Sequence, residues 1–374
     1  MEMNISLAMK IKTIELNSFR NYDHIQCELD PQLNVFIGAN GQGKTNLLES
    51  LAFLSSLRSF RQVSDSDLIQ FDKDYARVSC ILEDDIIDKK LSVMIHPSGK
   101  TLRYQNQLIR KTSEFIGLIN TVIFSPIDMS FFEDAPRVRR KVFDLEAGKL
   151  SRLYLSQMLI FNKSLKQRNA LLKEKNIDRT LLDILTKQLA KSQVEIILYR
   201  RQMVEFINSK INEIYERFSK VPLHISITYE ETLPESTNLE NDLIHLYQKS
   251  IDKDIFHKTT QKGLQRDDFV FKANDIEISK IASQGQKRLV LLAFKLTLVE
   301  YIVSLSKSYP ILLLDDVFSE LDEYHQKTLL KTLPKESQTI ITTTQSQVLK
   351  EIKQPMTVFT ITDGQITSRR TTHE

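Results

Sequence analysis

Gly38-Ala39-Asn40-Gly41-Gln42-Gly43-Lys44-Thr45 has the residue types and spacing to hold a polyphosphate. Glycine, four residues, then Gly-Lys-Thr is the phosphate-loop pattern. Glycines let successive backbone N–H groups turn inward, and the N-terminus of a following helix completes an anion cradle. In such a cradle Lys44 reaches the β- and γ-phosphates of a nucleoside triphosphate, and Thr45 offers a hydroxyl to Mg2+. An ordinary glycine-rich turn has the same letters, so the flanks decide. Asn34-Val35-Phe36-Ile37 reads as a short buried strand and residues 45–54 as an amphipathic helix, which is the frame the motif needs. We assign all eight residues, 38–45, to nucleotide binding.

A second group of candidates lies toward the other end of the chain. Tyr309-Pro310-Ile311-Leu312-Leu313-Leu314 is a continuous apolar strand ending in Asp315-Asp316. A strand buried on both faces has no use for acids except at its C-terminal end, where α/β sheets place ligands. Asp315 is placed to hold the Mg2+ shell, and Asp316 to orient or polarise an attacking water. A bare turn is the ordinary alternative. Ser283-Gln284-Gly285-Gln286 opens a long apolar helix over 289–303, so its hydroxyl, free N–H groups and dipole again favour phosphate, although Ser at this place is also a plain cap. Residues 338–344 form a core strand ending in hydroxyls that could sense the γ-phosphate. Asp128 follows the compact strand 121–124 and is placed to approach the nucleotide.

Basic residues gather twice. Arg58 and Arg61 flank Ser59-Phe60 just beyond the phosphate-loop helix. Arg137-Val138-Arg139-Arg140-Lys141 is the densest cluster, and Lys149, Arg152, Lys163, Lys166 and Arg168 continue the bias. Such runs are usually solvated faces. Read functionally, Arg58 and Arg61 could touch phosphate of nucleotide or of DNA, and Arg58, Arg61, Arg137, Arg139 and Arg140 are candidates for DNA contacts. The overall charge of +3, from 51 basic and 48 acidic residues, does not argue for nucleic acid by itself.

Around these residues the chain reads as an α/β protein. Its 374 residues exceed what one core usually covers, so two lobes are expected. Residues 11–16 and 25–29 read as a hairpin, with Phe19-Arg20-Asn21-Tyr22 as its polar turn. Between 76 and 104 short alternating runs predict an antiparallel sheet, unlike the parallel sheet expected under Lys44. Residues 150–218 are helical in period, with a break at Asn176-Ile177-Asp178. Residues 223–229 and 269–272 read as strands, 234–238 as a loop, 239–251 as a helix, and Gly263-Leu264-Gln265-Arg266-Asp267-Asp268 as a polar turn. The chain closes with an apolar stretch, 356–361, and a charged tail. We therefore expect an ATPase head formed by 1–135 and 257–374, with a compact helical lobe, 136–256, inserted. Cys27 and Cys80 have neither metal spacing nor a disulfide framework and read as small core residues of a reducing cytosol. No stretch approaches the ~20 apolar residues of a membrane span, and no signal peptide is expected. Organised sequence begins just after Met9, so residues 1–8 read as dispensable and Met9 as a candidate start.

Taken together, the phosphate loop, Ser-Gln-Gly-Gln helix start, Leu-Leu-Leu-Asp-Asp strand, Ser319-Glu320-Leu321-Asp322 and hydroxyl-ended strand form the set of an ABC-type ATPase. Phe19-Arg20-Asn21-Tyr22, the run from Gly41 to Glu49, Ser283-Gln284-Gly285-Gln286 and Leu314-Asp315-Asp316-Val317 resemble the RecF family of bacterial recombination and repair proteins, from about Met9 onward. The chain departs from that family's usual pattern at Leu264 and Gln265, at Ile127 and at Asp134. These departures touch the lobes rather than the nucleotide core.

The resemblance implies an ABC-type P-loop ATPase head with a mixed sheet, an antiparallel sub-sheet and an inserted helical lobe. It implies ATP and Mg2+, an ATP-dependent homodimer in which Ser283, Gly285 and Gln286 of one copy cap the γ-phosphate held by Lys44 of the other, and slow hydrolysis by Asp316. It implies duplex or gapped DNA as ligand, RecR with RecO as partners, RecA loading as outcome, and a cytoplasmic, nucleoid-associated protein without a membrane partner. Other classes fit less well. A transporter's ATP-binding subunit would not need the long insertion between Lys44 and Ser283, and a chromosome-organising head would need a longer coiled coil. A switch that binds ATP without hydrolysing it remains open on sequence.

Overall fold

The computed structural model describes residues 9–83, 87–233, 236, 238–345, 352 and 354–372. Residues 1–8 and most of the expected 234–238 loop lie outside the described residues. The chain divides into two compact units, one from Met1–Met129, Glu213–Pro222 and Arg288–Glu374, the other from Ser130–Asn212 and Leu223–Lys287.

The first unit is built on two six-stranded sheets. One is antiparallel, in the order Tyr22–Glu28, Ile11–Phe19, Ala76–Leu82, Lys89–His96, Gly99–Tyr104, Gln107–Ile109. Alternation along its strands fixes the register. Ile25, Leu16, Val78, Val93 and Leu102 stand side by side across five strands and are all buried. A one-residue slip would turn the whole row to water. The other sheet runs Gln365–Thr372, Met356–Thr362, Leu33–Ile37, Thr339–Thr343, Ile311–Asp315, Thr121–Phe124, with every pairing after the first parallel. Ile311, Leu312, Leu313 and Leu314 are each 0 % exposed, as the unbroken apolar run predicts. Each such side chain contributes roughly 1.5–3 kcal/mol by burial.

Between the sheets lies the phosphate-loop helix, Lys44–Ser56, whose Leu47, Leu51 and Phe53 share one core with Ile14, Leu16, Leu313 and Ile340. We expected an amphipathic helix. It is instead buried nearly all round, Glu49 and Ser50 included, because sheets cover it from two sides. Cys27 and Cys80 are core residues whose burial pushes their thiols up to about 12. A second correction concerns the tail: Gln365–Thr372 is a strand, joined to Met356–Thr362 by Asp363-Gly364, both at positive φ, 48° and 71°. Asp-Gly is the residue pair such a tight hairpin turn selects.

The second unit holds Pro136–Leu150, Arg152–Leu171, Leu239–His257 and the larger part of the long helix Arg179–Phe218, with an antiparallel sheet in the order Ile276–Glu277, Asp268–Ala273, Ile225–Glu230. Residues 257–287, which we grouped with the head, pack here because Asp268–Ala273 pairs along its whole length with Ile225–Glu230. Phe143 stacks on Phe269 at 3.7 Å. The helix Gln284–Ser306 is long and apolar enough to cross a membrane on composition alone, and its most apolar window is 67 % buried within the protein, as in a core helix.

Candidate nucleotide site

Sheet register assembles the site. Ile37 pairs with Thr343 and Thr360, and Thr342 with Asp315, so three strands end together where the phosphate loop leaves Ile37. This is the carboxyl edge at which open parallel sheets bind ligands.

The loop is held from both sides. Gly38 must lack a side chain, since a Cβ there would stand 2.4 Å from the Ile361 carbonyl oxygen. Gly43 sits at φ 113°, and its Cβ would meet Asn21 Nδ2 at 2.7 Å and the Tyr22 hydroxyl at 2.9 Å. The Tyr22 hydroxyl donates to Gly43 O, 2.9 Å, and Asn21 Nδ2 donates to Gln42 O, 3.2 Å. On the other side Gly364 N–H donates to Gln42 O, 3.1 Å, and Asp363 N–H to Gln42 Oε1, 2.5 Å. With the Gln42 and Gly43 carbonyls engaged from outside the loop, its N–H groups are set to face a ligand. The helix that follows begins at Gly43 without any side-chain cap, so its first N–H groups are left for an anion.

Lys44 is 7 % exposed and its Nζ donates to the carbonyls of Gly38, 2.7 Å, and Ala39, 2.8 Å. Burial pulls its ammonium below the usual lysine range, and the fields of Asp316 and Asp315 oppose that. Thr45 Oγ1 donates to Asp315 Oδ1, 2.8 Å, and Thr342 Oγ1 donates to the same oxygen, 2.9 Å. Burial pushes the Asp315 carboxyl up, and the two threonine hydroxyls hold it back. Asp316 has left-handed backbone, φ 49°, and its buried Oδ1 has no hydrogen-bond partner. A buried acceptor without a donor at the end of a parallel strand calls for a partner. A hydroxyl beside a carboxylate is the donor chemistry Mg2+ takes from a protein when phosphate and water complete its shell, so Thr45 and Asp315 fit that ion. Among the described residues no cluster of three His, Cys, Asp or Glu offers an all-protein site.

Other candidates behave differently. Thr342 and Thr343 turn their hydroxyls to Asp315 and to Gln345 N–H rather than outward. Asp128 does not reach toward a nucleotide: it pairs with Lys295 at 3.0 Å and accepts from Ser125 N–H. Ser283 takes the capping alternative, its Oγ accepting from Gln286 N–H, 3.2 Å, while Gln286 Oε1 accepts from Ser283 N–H, 2.9 Å. Ser283, Gln284 and Gly285 are exposed.

The basic clusters separate. Arg58 and Arg137 are exposed. Arg61 reaches Asn46 Oδ1, 2.9 Å, and lies 3.7 Å from Glu49, a buried carboxylate that Arg20 grips with two bonds and to which Ser59 donates. Arg139 and Arg140 are engaged within the fold, Arg139 buried and Arg140 half-buried. Arg139 is 9 % exposed and holds Asp268 with two bonds, 2.8 and 2.7 Å, and Arg140 donates to Asp267 O. Local charge density had no means of revealing these distant acids. Sequence reasoning also passed over Asn21, Tyr22 and Gly364 as supports of the loop, although Asn21 and Tyr22 belong to a word we had singled out.

Fold and site together define an ABC-type P-loop ATPase head. The RecF/RecN/SMC N-terminal domain family matches residues 10–367. The DNA replication and repair protein RecF of Ligilactobacillus salivarius is 36% identical over 96% of this chain and 97% of its own length. That of Streptococcus agalactiae is 36% identical over 96% and 98%. Among solved structures, the recombination mediator protein RecF with ATP, of the RecFOR pathway, superposes with TM-score 0.89 at 30% identity over 100% of both chains. An archaeal Smc head domain from Pyrococcus furiosus shares the fold at TM-score 0.57 and 17% identity, covering 97% of this chain and 96% of its own. The chain belongs to the RecF family.

Proposed function

We propose that this protein is an ATP-dependent DNA-binding ATPase of recombinational repair and replication restart, a recombination mediator like the relatives named above. The observation that carries the reading is the meeting of Thr45 and Asp315 at 2.8 Å beside an unsatisfied Asp316. ATP seats its phosphates on the N–H groups of 38–45, and Lys44 moves from the Gly38 and Ala39 carbonyls to the β- and γ-phosphates. Thr45 and Asp315 would hold Mg2+, which when bound supplies charge neutralisation at the phosphate oxygens. Water attacks the γ-phosphorus, the bond to the β–γ bridging oxygen breaks, and ADP and inorganic phosphate leave. Asp316 Oδ1 orients that water and accepts its proton.

Two copies close on two ATPs, with Ser283, Gly285 and Gln286 of one over the γ-phosphate of the other. Gly285 supports this, because a Cβ there would meet nothing of its own chain closer than Ser283 Oγ at 4.0 Å. Its own fold does not demand a glycine, whereas a close-approaching phosphate does. ATP thus joins the pair and slow hydrolysis releases it. Duplex or gapped DNA meets Arg58, Arg61 and Arg137, RecR with RecO are the partners, RecA loading is the outcome, and the setting is the cytoplasm around the nucleoid.

Lys44→Ala tests the reading. Sedimentation should show the parent dimerising with ATP and not with ADP, and the variant monomeric in both. Equal dimerisation of the variant with and without ATP would overturn it.

A further inference from the structure

On the solvent side of the antiparallel sheet, strand register gathers three cations around a row of hydroxyls. Ser79 pairs with Ser92, and Ser92 with Arg103; in the next row Arg77 pairs with Met94, and Met94 with Thr101. Lys90, two residues before Ser92, stands on the same face. With Asn106 these side chains line a concavity of about 250 Å³. Facing residues on paired strands lie about 5 Å apart. The Ser79, Ser92 and Thr101 hydroxyls therefore sit centrally, with Arg77, Lys90 and Arg103 around them.

These groups retain capacity for a ligand. Arg77 gives Nη2 to Glu15, 2.9 Å, but its Nε is buried without a partner. Arg103 makes one long bond, 3.3 Å, to Asn106 O. Lys90 has no ion pair among the described residues. Glu15, opposite Ser79 on the adjacent strand, is paired with Arg77, so among the described residues Lys90 and Arg103 are the cations of this group without an acidic partner.

The geometry points to a phosphodiester site: the sugar–phosphate backbone of a nucleic acid seated across Ala76–Leu82, Lys89–His96 and Gly99–Tyr104. Hydroxyls and guanidinium groups suit phosphate oxygens. The lining holds no aromatic ring on which a base would stack, so contact is with backbone and independent of sequence. This site shares no lining residue with the nucleotide loop, and it rests on the reading that the protein binds DNA.

The test is the full-length Lys90→Gln/Arg103→Gln variant, bound to duplex DNA with ATP across a salt series and read by fluorescence anisotropy. The slope of log affinity against log salt should fall by about two, one for each lost phosphate contact. ATP turnover without DNA and the urea midpoint should stay at parental values, since both side chains face solvent. Lys90→Arg/Arg103→Gln should recover about half of the slope lost by the double variant. A variant slope equal to the parent's overturns the site while leaving the proposed function standing. A parent that binds no DNA at any salt overturns that function and the site with it.

Discussion

Among the described residues, two aspartate pairs adjoin strands and come to opposite ends. Asp267 and Asp268 open a strand of the helical unit, and all four carboxylate oxygens are taken. Asp267 Oδ1 accepts from Thr232 N–H and hydroxyl, 2.9 and 2.7 Å, and Oδ2 from Tyr229, 2.5 Å, and Arg200, 3.2 Å. Asp268 is held by Arg139. Asp315 and Asp316 close a strand of the other unit. Asp315 is met by two hydroxyls and no cation, and Asp316 Oδ1 by nothing. The same dipeptide is structural where the chain satisfies it and available for chemistry where the chain does not. A buried acceptor is left unmade only at a cost of about 1–3 kcal/mol, so something outside the chain has to account for it.

The sharpest way to break the comparison is to neutralise one acid of each pair. Asp316→Asn should keep ATP binding and lower single-turnover hydrolysis by about 10²–10⁴, the usual range for a positioned proton acceptor. Its urea midpoint should hold. Unaltered hydrolysis would remove Asp316 from the chemistry and undo the contrast.

Asp267→Ala should do the reverse. It strips Arg200, 1 % exposed, of one of two carboxylate partners, and breaking a buried pair in this way costs about 3–5 kcal/mol. Urea unfolding measures it, and a loss below about 1 kcal/mol would mean that Asp144 alone suffices. Arg139→Ala belongs to the same side: stability should fall while the salt slope of DNA binding stays at the parental value.

Asp315→Asn sharpens the comparison through pH. Burial raises this carboxyl above its ordinary 3.8 in the folded protein. Between 3.8 and the raised value the native state binds more protons than the unfolded chain, so stability falls as pH rises through that window. Asparagine escapes the penalty and still accepts from Thr45 and Thr342. Without nucleotide, urea unfolding should show the variant more stable than the parent at neutral pH, with the gap closing below the ordinary carboxylate range. A gap constant with pH would show that titration of Asp315 is not its cause.

What was legible in the sequence follows the range of the interaction that decides each feature. Strand 34–37, the glycines after it and the leucine run into Asp315 are local patterns, and each was found. So was the helical break near Ile177. The final strand, Gln365–Thr372, reads as a tail in sequence because most of its residues face solvent, although Asp363-Gly364 signals its turn. Arg139 was misread because its partner lies 129 positions away. Glu49 looked like one more polar helical residue until Arg20, Ser59 and Arg61 were brought to it by the fold. Charge in a sequence reports how much there is. Only the fold reports whether it is already spent.

That distinction gives the smallest effect its use. Arg58 is exposed, and Arg139 stands in a more basic run but is buried. Arg58→Ala should change stability by less than about 0.5 kcal/mol, as for surface substitutions generally, and lower the salt slope of DNA binding by about one. Set beside Arg139→Ala, the outcome is a double dissociation between stability and slope. If Arg58→Ala leaves the slope unchanged, exposure alone does not make an arginine of this head a DNA contact, and the path of the DNA has to be sought on Arg137 and on the cationic face of the antiparallel sheet instead.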